Sequence, residues 1–254
     1  MRGKNKMMRA DVIVIVCCVV LALLTVGMIG RTTRGLALEL TCVSNVEVLT
    51  DAWLTYADEH DGALVGGIGW AGNPRTSPAV PTLEKKLETI RKGLLFPYVG
   101  DLNVYHCPAD QRLNDPNQLA FGSFSIAGGA NGQDEPEAYG YNPAKKYAEI
   151  PDPSARYVFV EEADPRGYNV GAWQMFFNPL KWSDPLAMWH EESTTLGFAD
   201  GRVEIHRWHD RSLIDWCHKA MYEPEAFTFG MTPSPQEGED IEYMGDRFPC
   251  KSLR

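Results

Sequence analysis

Residues 12–29 read VIVIVCCVVLALLTVGMI, eighteen in a row without a charge, twelve of them Val, Ile or Leu. At about −0.3 to −0.6 kcal/mol for each such residue on an insertion scale, those twelve supply about −4 to −7 kcal/mol. As a helix the run is about 27 Å long, near the hydrocarbon thickness of a bilayer. The sequence therefore predicts a retained transmembrane helix over 12–29. A cleaved signal peptide would end in small residues of A-x-A type, whereas this run ends in Gly30-Arg31-Thr32-Thr33-Arg34. Arg2, Lys4, Lys6 and Arg9 precede the span and Arg31 and Arg34 follow it, which predicts a cytoplasmic basic head over 1–11 and a single-pass protein whose C-terminal domain is extracytoplasmic. Asp11 lies at the membrane edge, where a carboxylate is either a solvated flank or the partner of a cation on a neighbouring subunit.

Beyond the span, apolar residues recur at Leu36, Leu40, Val43, Val46, Leu49, Trp53 and Tyr56-Ala57, spacings that mark one face of an amphipathic helix over 30–61 ended by Asp61-Gly62. No Pro interrupts residues 11–60, so span and amphipathic helix are expected as one rod. Leu83, Leu87, Ile90 and Leu94 mark a short helix stopped by Pro97. The rest of 62–222 reads as β-rich, with strands expected at 104–106, 121–126, 157–162, 195–199 and 202–208 and a closing helix over 209–222. Asp200-Gly201 joins the last two strands and suits a type I′ turn with positive φ at both centres. Residues 223–254 form an acidic, Pro-rich tail, read as largely unstructured surface.

Charge narrows the partners. The chain carries 24 Lys+Arg against 34 Asp+Glu, and four of the bases sit in the first nine residues. A body that acidic repels phosphate backbones, so nucleic acid is excluded as a partner. The residues contain no G-x-S-x-G, no Walker loop, no G-x-G-x-x-G after a strand and no H-E-x-x-H, and no catalytic residue is assigned. His190, His206 and His209 gather around the Asp200 hairpin. His206 shares a strand face with Glu204 and Trp208 and is expected in solvent, while His190 is expected to hydrogen-bond backbone near the turn.

Several segments together resemble the type IV pilins and the pseudopilins of type II secretion, in particular the prepilin-type, processing-associated group with an H-x(9)-D-G signature. Cys42-Val43-Ser44-Asn45-Val46, then Leu49, Ala52 and Tyr56-Ala57-Asp58, are similar to that group's C-x-N-L … L-x-x-A … Y-A-x-D helix. Leu95-Phe96-Pro97-Tyr98 and Cys107-Pro108-Ala109-Asp110 resemble its L-x-P-Y … C-P-x-D segment. His190, nine residues and then Asp200-Gly201 match the signature itself. The start departs from the family, which carries Gly-Phe before the apolar run and a glutamate inside it. Here Met7-Met8-Arg9-Ala10-Asp11 precede the run, with Asp11 as the stand-in for that glutamate.

The resemblance implies an α+β, pilin-like fold, a long transmembrane and amphipathic helix packed on an antiparallel β-sheet. It implies a non-catalytic, membrane-anchored structural subunit of a type II secretion or type IV pilus assembly, with membrane lipid, like pilin subunits and secretion-machine components as partners. The alternatives are a membrane-tethered metal-dependent hydrolase using His190, Asp200 and Glu161, and a monomeric anchored binding module. Cys17 and Cys18 read as small apolar residues. In an oxidising compartment Cys42 and Cys107 would pair, closing a loop of about 66 residues for about 4 kcal/mol, with free buried thiols as the other reading; Cys217 with Cys250 is a weaker pair. No cofactor is expected. Some pseudopilins bind calcium, and Glu161, Glu162 and Asp164 are the weak candidates here, against the simpler reading of a solvated strand end.

Overall fold

A computed structural model describes residues 9–67, 69–72, 82–115, 120–132, 136–167, 169 and 171–254; within these, the side chains of 9–16, 19–32 and 136 are not described. The chain divides into two units, Met1–Leu40 and Thr41–Arg254. Helix α1 runs Arg9–Glu59, 51 residues.

The membrane assignment needs correction. Among the described residues no helix is long and apolar enough to cross a membrane, and the transmembrane helix over 12–29, the single-pass topology and the cytoplasmic-to-extracytoplasmic orientation go with it. Where the side chains of α1 are described without a break, from Thr33 on, the helix carries Arg34, Glu39, Glu47, Asp51, Asp58 and Glu59. Each Arg or Asp at mid-bilayer costs about 2.5–3.5 kcal/mol, so this load outweighs the apolar residues between the charges. The side chains of Asp11 and of the apolar run are not described, so the membrane-edge reading of Asp11 lies outside the described residues' side chains; Cys17 and Cys18 are the exceptions in the run and are exposed thiols.

In the second unit, α1 contributes Cys42, Val46, Leu49, Trp53 and Ala57 to one buried stripe. Their spacing of three and four residues puts them on a single face. The stripe begins at Cys42, Val43 is only partly buried, and Leu36 and Leu40, expected on the same face, are exposed. Asp61 (φ +53°) and Gly62 (φ +77°) stop the helix, and the Gly62 N–H returns to the Ala57 carbonyl at 2.8 Å.

The stripe packs on a five-stranded sheet, order β4-β1-β3-β7-β8, built from β1 (Phe124–Ala127), β3 (Tyr157–Glu161), β4 (Ala172–Trp173), β7 (Ser193–Phe198) and β8 (Val203–Arg207). The sheet is mixed, because β4 runs parallel to β1 while the other neighbours are antiparallel; the all-antiparallel expectation is corrected accordingly. Side-chain alternation splits the core between the two faces. Ile126, Phe159 and Gly197 face α1, whereas Val160, Leu196 and Phe198 join Trp173, Trp182 and Trp208 on the other side. The helix comes close at Gly197: a Cβ built there would lie 2.5 Å from Thr50 Oγ1 and 2.8 Å from Val46 Cγ1.

The remaining elements are α2 (Leu83–Arg91), α3 (Phe96–Val99), α4 (Arg211–Tyr222), α5 (Glu239–Asp246) and two ribbons. One ribbon pairs β2 (Tyr141–Pro143) with β9 (Cys250–Leu253), and the other pairs β5 (Met175–Phe177) with β6 (Leu180–Trp182). Residues 102–105 are a 3-10 turn instead of the expected strand. Pro97 lies in the first turn of α3, a position that needs no amide donor, and so begins a helix rather than stopping one. The tail is structured over α5 and β9. Asp240, Ile241 and Met244 point inward, and the Asp240 carboxylate accepts the N–H groups of His209 and Asp210 at 2.8 and 2.7 Å. His206 is therefore covered, its ring stacked 3.8 Å from that of Tyr243 on α5.

Candidate functional site

Four residues of the resemblance, Cys42, Asn45, Cys107 and His190, meet at the seam between α1 and the sheet, whereas Asp200 and Gly201 lie apart in the β7–β8 loop. Cys42 and Asn45 lie three apart on α1, so both reach the same neighbour. Asn45 Nδ2 donates to the His106 carbonyl at 3.0 Å, which holds the following Cys107-Pro108-Ala109-Asp110 segment against the helix. Cys107 is fully buried there, and Pro108 is half-buried. His190 closes the group from a tight turn in which Glu191 (φ +53°) and Glu192 (φ +63°) both take left-handed backbone and the Ser193 N–H returns to the His190 carbonyl at 3.1 Å. The fourth member is Glu161, the last residue of β3.

One donor atom from each of Cys42, Cys107, Glu161 and His190 falls within 4.8 Å of the other three, and all four residues are buried. The Cys42 thiol donates to Glu161 Oε1 at 2.7 Å. His190 Nε2 lies 3.3 Å from Cys107 Sγ and 3.4 Å from Glu161 Oε1. Glu161 Oε2 accepts the Thr195 N–H at 2.6 Å, and the Thr195 hydroxyl donates to Cys42 Sγ at 3.6 Å. Burial alone would lower the His190 pKa, but its bonds to Cys107 and Glu161 and the charge of Glu161 raise it to about 10. The Cys42 thiol is pushed well up by burial, and by Cys107 and Glu161 in addition. Both cysteines are free thiols in this structure, so the expected Cys42–Cys107 disulfide is not formed, although the two sulfurs are neighbours. Cys217 and Cys250 are also free, buried on the opposite face of the sheet.

A second polar group sits under the same loop. The guanidinium of Arg112 is buried and binds the Asp110 carboxylate through Nη2 at 2.7 Å and Nε at 2.9 Å; Nη1 donates to the Asp164 carbonyl at 3.1 Å and Nη2 to the Glu162 carbonyl at 3.3 Å. Ser123 donates to Asp110 at 2.8 Å. Asp110 is thus the counter-ion of a buried arginine.

The three acids considered for calcium do not gather into one ligand group among the described residues. Glu161 joins the thiols, Glu162 accepts from Ser125 on the opposite face, and Asp164 pairs with Arg166. All three are fully buried, which corrects the solvated strand end. The hydrolase set separates as well: His190 and Glu161 meet, while Asp200 lies in the exposed β7–β8 loop, its Oδ1 accepting the Arg202 N–H at 3.1 Å. In that loop only Gly201 has positive φ (+94°), and the Phe198 N–H bonds to the Arg202 carbonyl at 2.7 Å. The connection is a three-residue turn with a glycine bulge in place of a type I′ turn.

His190 bonds side chains rather than the backbone it was expected to fix. Thr195 and Arg112 carry no local signal of their roles, because their partners come from other segments; only the closeness of Arg112 to Asp110 hints at a pair. Compared with protein-family models, with curated proteins and with solved structures, the chain matches none.

Proposed function

We propose that the chain is a non-catalytic, pilin-like structural subunit, whose long helix packs against the same helix of other copies. One observation carries the reading. Five residues that carry the resemblance are spent on internal contacts: Cys42, Asn45, Cys107 and His190 fasten α1 to the loop and sheet, Asp110 holds the buried Arg112, and of the five only Asn45 is not fully buried. Side chains spent in this way serve construction rather than turnover. Leu36 at 53% and Leu40 at 66% exposure, on the same helix as the uncharged run 12–29, leave apolar surface for a partner helix.

Crosslinking tests it. Chains with Cys17 and Cys18 replaced by Ser and a single new cysteine walked through residues 12–29 should give oligomeric adducts that recur every three to four positions, the period of a helix packed against a helix. Monomer at every position would refute the reading.

A further inference from the structure

The cluster of Cys42, Cys107, Glu161 and His190 has more ligand chemistry than a helix seam requires. Two thiols, an imidazole and a carboxylate arrive from four separate segments, α1, the 3-10 connection, the end of β3 and the turn before β7, and their donor atoms fall within 4.8 Å of one another. We infer that these four side chains form a closed, tetrahedral site for a divalent transition metal, zinc, which bolts α1 to the sheet.

Geometry is the first argument. A tetrahedral ion with bonds of about 2.0 Å to nitrogen or oxygen and 2.3 Å to sulfur sets its donors roughly 3.3–3.8 Å apart. The His190 Nε2 to Glu161 Oε1 separation is 3.4 Å and the Cys107 Sγ to His190 Nε2 separation is 3.3 Å. The Cys42 Sγ to Glu161 Oε1 separation, 2.7 Å, is shorter, because a thiol proton bonds them. Losing that proton to solvent lets the pair open by less than about 1 Å to the tetrahedral edge.

Ligand type is the second argument. Two sulfurs select against calcium and magnesium, which prefer oxygen donors, and the set suits zinc. Two thiolates and one carboxylate against a dication leave one net negative charge, the same balance as a Cys3His site. All four positions are filled by the protein and buried, the closed arrangement of a structural ion. The outer shell is also in place. Thr195 donates its N–H to the free oxygen of Glu161 at 2.6 Å and its hydroxyl to Cys42 Sγ at 3.6 Å, orienting one ligand and stabilising the thiolate of the other. On binding, the protons of both thiols and of His190 Nε2 leave to solvent and no electrons move.

The inference goes beyond the assembly role and does not depend on it. The test uses the full chain, purified with reductant, stripped by dialysis against a chelator and then loaded with zinc or with cobalt(II). Wild type should retain one zinc per chain through renewed dialysis against metal-free buffer. Its cobalt form should show the strong visible bands of a tetrahedral ion and a thiolate charge-transfer band. Cys107→Ser should lose stoichiometric zinc, and Thr195→Val, which removes only the hydroxyl donor, should weaken zinc roughly 10–100-fold. The idea is overturned if wild-type chain releases zinc as readily as Cys107→Ser, if its cobalt spectrum is octahedral, or if peptide mapping finds a Cys42–Cys107 disulfide in the reductant-treated chain. Should Cys107→Ser not fold, the wild-type zinc retention and cobalt spectrum still decide the matter.

Discussion

The Cys42 thiol donates to Glu161 Oε1 at 2.7 Å, joining positions 119 apart in sequence and tying α1 to the end of β3. Glu161 is fully buried, and its partners are Cys42, His190 and the Thr195 N–H. Glu161→Ala leaves a buried imidazole and a backbone donor without their acceptor and should cost about 3–5 kcal/mol. Glu161→Gln keeps one carbonyl oxygen in place and should cost less, about 1–3 kcal/mol. Urea unfolding in chelator-treated buffer measures both; equal losses would show that shape, and not charge, is what the position supplies.

Gly197 sets how closely the helix approaches the sheet. With Thr50 Oγ1 and Val46 Cγ1 at 2.5 and 2.8 Å from an added Cβ, Gly197→Ala should lower the unfolding midpoint, at a cost of about 1–3 kcal/mol. Removing the Thr50 side chain in the same background should return part of that loss. Strict additivity of the two substitutions would mean that the contact is not where the strain arises.

Arg112 and Asp110 are a buried ion pair, so removing one member is worse than removing the charge of both. Arg112→Leu should cost about 3–5 kcal/mol, and adding Asp110→Asn should recover a measurable share of it. A double-mutant cycle on unfolding free energies gives the answer, and zero coupling would contradict the pairing.

Asp184 makes stability depend on pH. Burial, and then the charge of Asp164, push its carboxyl up to about 7, so the folded chain holds a proton that the unfolded chain has released. The stability this group contributes is complete below its unfolded value of about 3.9 and is lost as pH rises through 7. Asp184→Asn should therefore gain on wild type between pH 5 and 8, as read in urea melts at several pH values. A difference that stays flat with pH would dispose of the shift.

His206 works in the opposite sense. Burial lowers its pKa, against the pull of Glu204, and its ring stacks on Tyr243. Its contribution is present above the unfolded histidine value of about 6.5 and falls away as pH drops through the lower folded value. His206→Phe should remove that acid-side loss, and chemical denaturation from pH 7 down to 4.5 would detect it.

How much the residues foretold follows from how local each signal is. The amphipathic repeat from Val46 to Ala57, the strands around Tyr157 and Leu196 and the helix at Leu213 to Cys217 depend on neighbours a few positions away, and each forms close to where its pattern lies. Asp240 and Tyr243 were lost among acids and prolines, because composition hides a single turn whose inward side is only Asp240, Ile241 and Met244. The site divides in the same way. Cys42, Cys107 and His190 stand out as positions in a resemblance, and Glu161 is set beside His190 only in the hydrolase alternative; spacing does not join it to Cys42, 119 residues away, because its local context is an acidic strand end. The apolar run 12–29 was the loudest local feature and misled most about the membrane, for its meaning depends on what the rest of the helix carries and meets.

Central to the account is that the Thr41–Glu59 part of α1 belongs to the core of the second unit. Native-state hydrogen exchange of the whole chain measures this directly. The buried stripe amides from Val46 to Trp53 should be as protected as those of β3 and β7, opening only when the entire unit unfolds. Exchange of those helix amides many-fold faster than the strand amides would mean that the helix lets go by itself, and the account would be wrong.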